Sequence, residues 1–381
     1  MRHALLAAAL VTAALAGCSS VVDPDPPAPL PVLESELPVR TLWRTQVGSG
    51  TDGQRVTLRP VFDGGTIYAA DRGGKLVAVD RGNGRRLWER STDLEITGGV
   101  GLRGEQLLVG TINGEVVALN AADGVERWRS ELSSEILAPP QMEGGVVIAH
   151  SSDGKLFGLD GATGERKWFY QQRVPALSLR GTSTPVTDGG RVYAGFASGK
   201  LAALELNGGR VLWESTIAVP RGRTELDRMV DIDAHPVLDD GTLFVTAYQG
   251  RVAAVAATTG VLIWARDISG YQPVGLNRDR LYVTDDRGHL WALARDNGVA
   301  LWKQEKLQAR GLTAPTAYRD YVVVGDFEGY LHFLSQDDGR IVGRVQIDSK
   351  GLLEAPAVID DTLYVYGRGG VLTAITLDSA S

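Results

Sequence analysis

The apolar residues of this chain fall in short blocks at consecutive positions, as in Leu107-Leu-Val109, Val146-Val-Ile148, Leu243-Phe-Val245 and Val322-Val-Val324. They follow neither the alternation of a half-exposed strand nor the 3.6-residue spacing of a helix, and so predict strands covered on both faces. Each block leads through a Gly-containing turn to a second block. A further Gly turn and a polar strand that ends on an aromatic residue complete the unit. Gly154 to Trp168, G-K-L-F-G-L-D-G-A-T-G-E-R-K-W, shows the second half of it.

The unit recurs. The Gly that opens the third strand stands at 74, 114, 154, 199, 250, 288, 329 and 370, and the aromatic anchor at Trp43, Trp88, Trp128, Trp168, Trp213, Trp264 and Trp302. Pro60, Pro140, Pro185, Pro236, Pro315 and Pro356 each precede an apolar residue of the next block by seven positions, with Val100 and Val274 in that slot in the other two units. Eight units of about 42 residues match the period of propeller blades. A proline at each first strand suits a sheet edge facing a central channel. The expected fold is all-β, an eight-bladed β-propeller of four-stranded antiparallel blades. The last unit stops at Leu377 without its Trp strand, and Arg40-Thr-Leu-Trp-Arg44 precedes the first full set of strands. Pairing of the N- and C-terminal strands therefore completes the eighth blade and closes the ring. The Trp residues read as packing anchors between blades. The seventh unit has Gly343 where Trp is expected, which predicts a looser contact there.

Composition adds the address. Arg2 and His3 precede the apolar run Ala4 to Ala16, which is too short to span a bilayer comfortably and reads as a signal segment, residues 1–17. Leu15-Ala-Gly-Cys18 holds the one Cys of the chain, so no intrachain disulfide is possible. Residues 18–39 carry Pro24, Pro26, Pro27, Pro29 and Pro31 and read as a semi-extended tether reaching about 60 Å, which holds the folded part, residues 40–381, off the membrane. A formal charge of −7 argues against nucleic acid as the main partner. Five scattered His and no Ser-, carboxylate- or His-based constellation leave catalytic, metal and cofactor sites without candidates.

Two connections, consecutive and on one face, are longer than the repeat requires. Gln171 to Gly181 holds Leu177, Leu179 and Arg180, and Val219 to Asp233 holds Arg221, Arg223, Asp227, Arg228, Met229, Asp231 and Asp233. Insertions in a repeat array concentrate on a binding face. Apolar residues among opposed charges suit a protein interface. They also suit self-contained loops whose charges pair with one another. The acidic group lacks the D-x-D-x-D-G spacing of a Ca²⁺ loop. The mouth of the channel offers another site, for a peptide or polysaccharide.

The G-x-L-x-A-L-x-x-x-x-G-x-x-x-W units resemble quinoprotein (PQQ-dehydrogenase-like) repeats. With the Cys18 lipobox, the Pro-rich tether, A-L-S-L-R-G (176–181), T-E-L-D-R-x-x-D-I-D (224–233) and V-G-D-F-E-G-Y-L-H (324–332), nearly the whole chain past residue 17 resembles the BamB family of lipoproteins. The resemblance implies a non-enzymatic scaffold of the outer-membrane β-barrel assembly (BAM) machinery that binds the periplasmic POTRA domains of BamA. It implies lipidation of Cys18 with three acyl chains. Ser19, in place of the Asp that retains such proteins at the inner membrane, implies the periplasmic face of the outer membrane. Leu177, Leu179 and Arg180 would form one contact group, and Asp231 and Asp233 would make or support a second. The open outer strands of the blades raise a further expectation, strand addition by nascent outer membrane proteins. Quinone-dependent dehydrogenases built on such repeats are much longer and use an adjacent Cys pair, which this chain lacks.

Overall fold

Residues that are apolar at consecutive positions need cover on both faces, and a ring of radially arranged sheets provides it. The computed structural model describes residues 25–33 and 37–378; the segment 1–17 and Cys18 lie outside them. Eight antiparallel sheets form the blades of a propeller. The third blade is typical: Gln141–Glu143, Val146–Ser151, Lys155–Asp160 and Arg166–Gln171, from the channel outward. The second strand of this blade is buried throughout, and so are the four central residues of the third. The six prolines stand immediately before the inner strands of blades 1, 3, 4, 5, 7 and 8, where no ladder hydrogen bond is lost. Ring closure is as expected. Val39–Gln46 pairs antiparallel with Val371–Leu377, from Val39 opposite Leu377 to Gln46 opposite Val371, and so supplies the outer strand of blade 8. One strand was not foreseen. Thr57–Leu58 runs parallel to Gly98-Gly99 and adds a fifth strand to blade 2 on the channel side.

The Trp anchors work between blades. In each outer strand the ladder shifts register just before the anchor position, a bulge that turns the ring inward, as between Glu126 and Trp128. Each indole then lies on the glycine of the turn between third and outer strands of the next blade. Trp168 meets Gly209 in this way, and a Cβ built on that glycine would stand 2.6 Å from the ring. Gly209 also has φ +65°, so its lack of a side chain serves both the turn and the contact. The indole N–H donates to a carbonyl of the same turn at 2.8–3.0 Å in all seven cases, from Trp43 to Arg81 through Trp302 to Gln336.

The looser seventh contact is not what forms. The turn on which a Trp at 343 would dock does not exist, because the chain ends meet there: Asp378 N–H donates to Pro38 O at 3.0 Å. Leu37 fills the place of the indole. A Cβ on Gly343 would stand 2.8 Å from that of Leu37, and Leu37 and Val39 pack on the cluster of Phe333, Leu363 and Ile375. Glycine at 343 is thus the complement of an N-terminal leucine.

The sequence left the disposition of the tether open; its described part lies on the ring. Ala28 N–H donates to Gln308 O at 3.0 Å, and Arg310 Nη1 donates to Ala28 O at 3.0 Å. Arg344 Nη1 donates to Pro31 O at 2.9 Å.

Candidate functional site

Both long connections join the outer strand of one blade to the inner strand of the next, around blade 4, whose strands run from Val186–Asp188 to Val211–Thr216. Chain direction places such connections, and the turns between second and third strands, on one face of the ring. Connection 217–236 is built from within. Thr224 and Asp227 cap each other, Asp227 N–H to Thr224 Oγ1 at 3.1 Å and Thr224 N–H to Asp227 Oδ2 at 3.2 Å. One helical turn follows, with Arg228 N–H donating to Thr224 O. Met229, Val230 and Ile232 then turn under, the last two into the core between blades 4 and 5. Ile232 fits only because residue 195 is glycine; a Cβ there would meet its Cγ2 at 2.3 Å.

Burial of Val230 and Ile232 aims the residue between them at the neighbouring connection. Asp231 is 1% exposed, and its Oδ2 accepts the Leu179 N–H at 3.1 Å. The Asp233 carboxylate lies against Gly181, 2.7 Å from where a Cβ would be. Ser183 Oγ donates to Ala234 O at 3.0 Å. The two connections are therefore one unit, tied at three points. Behind them His150 is buried and held down to about 4 by that burial, so its neutral Nδ1–H donates to Ser183 O at 2.9 Å. Burial pushes the Asp231 carboxyl well up, and the adjacent Asp233 carboxylate pushes it further. Burial raises Asp233 as well, and the Arg55 guanidinium opposes the rise. One proton between these carboxyls relieves their repulsion.

The five residues expected at the interface thus divide. Leu177, 46% exposed, and Arg180 face outward, and Leu179 is half-buried with its amide turned to Asp231. Asp231 is a brace beneath the surface, and Asp233 borders a cavity. Asp227, grouped with them in the sequence, is spent on the Thr224 turn. Arg180 also helps to hold the Glu135 carboxyl below its usual range, after the hydroxyls of Ser134 and Ser152.

Residues outside the repeat complete the face. Beside the loops opens a cavity of about 590 Å³ at the channel mouth, bordered by Leu179, Arg180, Asp233, Tyr248, Arg55 and Tyr271. The Arg55 guanidinium lies 5.1 Å from the centre of the Tyr271 ring. Arg59 lies beside His235 and Glu354, both partly buried, the first lowered to about 3 and the second raised, by burial in each case. Arg55 and Arg59 escaped the sequence reading because they precede the first complete blade. The one signal was that residues 51–59 belong to no unit of the repeat.

Comparison with known proteins identifies the family. A family model described as "Outer membrane protein assembly factor BamB" matches residues 39–95, 79–304 and 294–381. The protein of that name from Pseudomonas aeruginosa is 49% identical over 375 residues, 98% of each chain. The one from Yersinia pestis is 37% identical over 392 residues, 99% of each. The crystal structure of BamB from Moraxella catarrhalis superposes with a TM-score of 0.82 at 30% identity, covering 89% of this chain and all of that one. A quinohemoprotein alcohol dehydrogenase from Comamonas testosteroni, TM-score 0.70 at 16% identity over 90% of this chain and 77% of that one, shares the fold alone. By sequence over its whole blade region and by structure, the chain belongs to the BamB family of outer membrane protein assembly factors.

Proposed function

We propose that this protein is a non-enzymatic scaffold of the outer-membrane β-barrel assembly machinery. It is held by lipid on Cys18 at the periplasmic face of the outer membrane and docks the POTRA domains of BamA through the face that carries Leu177, Leu179 and Arg180. The observation that carries this reading is the welding of two long connections, 172–185 and 217–236, into one unit, with Asp231 fixing the Leu179 amide while Leu177 and Arg180 remain exposed. A preformed patch of an apolar side chain beside a guanidinium loses little entropy on binding and suits a polar-rimmed protein interface. Membership of a family of assembly factors supports the role, and the absence of paired cysteines in the sequence sets the chain apart from quinone enzymes of the same fold.

The test is binding of the purified protein to the periplasmic domains of BamA, wild type beside Leu179→Ala/Arg180→Ala. Loss of binding in the double variant at unchanged melting temperature supports the site. Equal binding by both refutes the site. A second reading, a peptide or polysaccharide at the channel mouth, draws on the 590 Å³ cavity, which borders the same Leu179 and Arg180. It takes precedence if wild type fails to bind BamA and substitution of Arg55 abolishes capture of a peptide or glycan from a defined panel.

A further inference from the structure

The segment V-G-D-F-E-G-Y-L-H (324–332) has no part in the loop pair around blade 4. Its residues gather three blades away, between blades 6 and 7 on the same face. Asp326, fully buried, caps its own turn by accepting the Glu328 and Tyr330 amides at 3.0 and 2.9 Å. Equivalent aspartates do as much in blade 1, where Asp71 accepts the Lys75 amide, and in blade 6, where Asp285 accepts the His289 amide. What blade 7 adds is Arg310. It is 3% exposed, paired with Asp326 at 2.8 Å and with Glu328, and its guanidinium lies 5.2 Å from the Phe327 ring centre. His332, fully buried, closes the back of the group through Nε2 to Asp326 at 2.9 Å. Capping the turn needs none of these additions. They aim one donor outward, Arg310 Nη1, and it meets Ala28 O of the Pro-rich segment.

The rest of that segment is held in the same manner. Ala28 N–H and the Asp25 carboxylate are bonded to Gln308, through its carbonyl at 3.0 Å and its Nε2 at 2.9 Å. Arg344, which lies 5.8 Å from the Tyr330 ring centre, takes Pro31 O. A proline-rich strand has few amides to pair and carries its carbonyls outward, so two arginines and one backbone carbonyl match what it offers.

We infer that the surface formed by Gln308 and Arg310 of the connection between blades 6 and 7 and by Arg344 of blade 7 is a clamp for a proline-rich extended segment, that its occupant is the protein's own tether, and that the clamp turns the loop-bearing face of the propeller toward the membrane. The orientation follows from chain length and rests on lipidation of Cys18 as proposed above. Asp25 borders the channel-mouth cavity together with Leu179, Arg180 and Asp233. Seven Cα–Cα steps join it to Cys18. At up to ~3.6 Å each they reach about 25 Å, against about 60 Å for a free tether. The partner face is thereby held near the bilayer, and the opposite face, with the turns at 81–84 and 161–164, points away from it.

The experiment has two parts. In unlipidated protein lacking residues 1–18, the Ala28 amide should exchange at least tenfold more slowly than in the isolated peptide 25–33. Exchange at the peptide's rate would overturn the clamp. In lipidated protein on phosphatidylethanolamine/phosphatidylglycerol vesicles, a fluorophore at Ser178→Cys should be quenched by a headgroup-bound acceptor at least twice as strongly as one at Asn83→Cys. Ala28→Pro removes only the donor of the strap and leaves Arg310 with its buried partners, so it should erase that difference without lowering the melting temperature; Arg344→Ala should do the same. Equal quenching at both positions in wild type, or a difference that survives Ala28→Pro and Arg344→Ala together, refutes the orientation. A chain that floats free of the vesicles refutes lipidation instead, and the exchange result still judges the clamp.

Discussion

Asp231→Ala isolates the brace from the surface it supports. In the native protein Asp231 Oδ2 is the acceptor for the Leu179 amide. Leaving a buried donor without a partner costs about 1–3 kcal/mol, and Leu179 is only half-buried, so water meets part of the need and about 1–2 kcal/mol applies. Opening of the loop at Leu179 should therefore become about 5- to 30-fold more frequent, read as faster exchange of that amide at pH 7. Affinity for the BamA periplasmic domains should fall by no more than the same factor, because the change acts on preorganisation and leaves Leu177 and Arg180 in place. Global stability should respond differently. Asp231 is a buried carboxyl pushed up by burial and by Asp233, so its removal also ends the cost of keeping it protonated at pH 7, and the melting temperature should hardly fall. Asp231→Asn keeps an acceptor for Leu179 and cannot ionise, and should exchange like wild type. The reasoning is refuted if Leu179 exchanges equally in wild type and Asp231→Ala, or if Asn behaves like Ala.

Three further outcomes follow from the packing and the charges. Burial holds both carboxyls of the loop pair above the ordinary 3.8, and the Asp233 carboxylate raises Asp231 further. Their contribution is therefore complete below 3.8 and is lost as pH rises through the raised titrations of the pair. Melting temperature should fall more steeply between pH 5 and pH 9 in wild type than in Asp231→Asn/Asp233→Asn, and parallel slopes would contradict this. Trp168→Ala removes an indole that fills an inter-blade contact and bonds Leu206 O at 2.9 Å, and should cost about 3–5 kcal/mol in urea unfolding; a loss below about 1 kcal/mol would show the anchors to be dispensable. Leu37→Ala should cost about 1–2 kcal/mol, less than a fully buried leucine because Leu37 is half-exposed, whereas Val32→Ala, at a side chain 95% exposed, should change stability by less than about 0.5 kcal/mol. Equal effects of these two would deny that Leu37 replaces the missing indole.

The sequence alone determined the ring. Consecutive apolar blocks demand cover on both faces, the Gly and Trp period counts the blades, and the unpaired strand at each end has no other partner than the one at the opposite end. These are local and periodic properties, and each repeat states them again. It also located two of the connections that exceed the period, 172–185 and 217–236, because excess length is visible without knowing where the chain goes; the third, 47–60, escaped notice because it precedes the first complete blade. It did not say which of their residues face outward. Asp231 and Arg180 look alike in the sequence as charged loop residues, yet Val230 and Ile232 on either side of Asp231 are drawn into the core and take the carboxyl under the surface. Gly343 looked like a defect, because its reason is the absence of a turn where the two chain ends meet. The prolines at 26, 27, 29 and 31 announced an extended segment, and its resting place against Gln308, Arg310 and Arg344 could not be read from them. Those contacts join residues some 280 to 313 positions apart, and such distances are bridged only once the ring has closed.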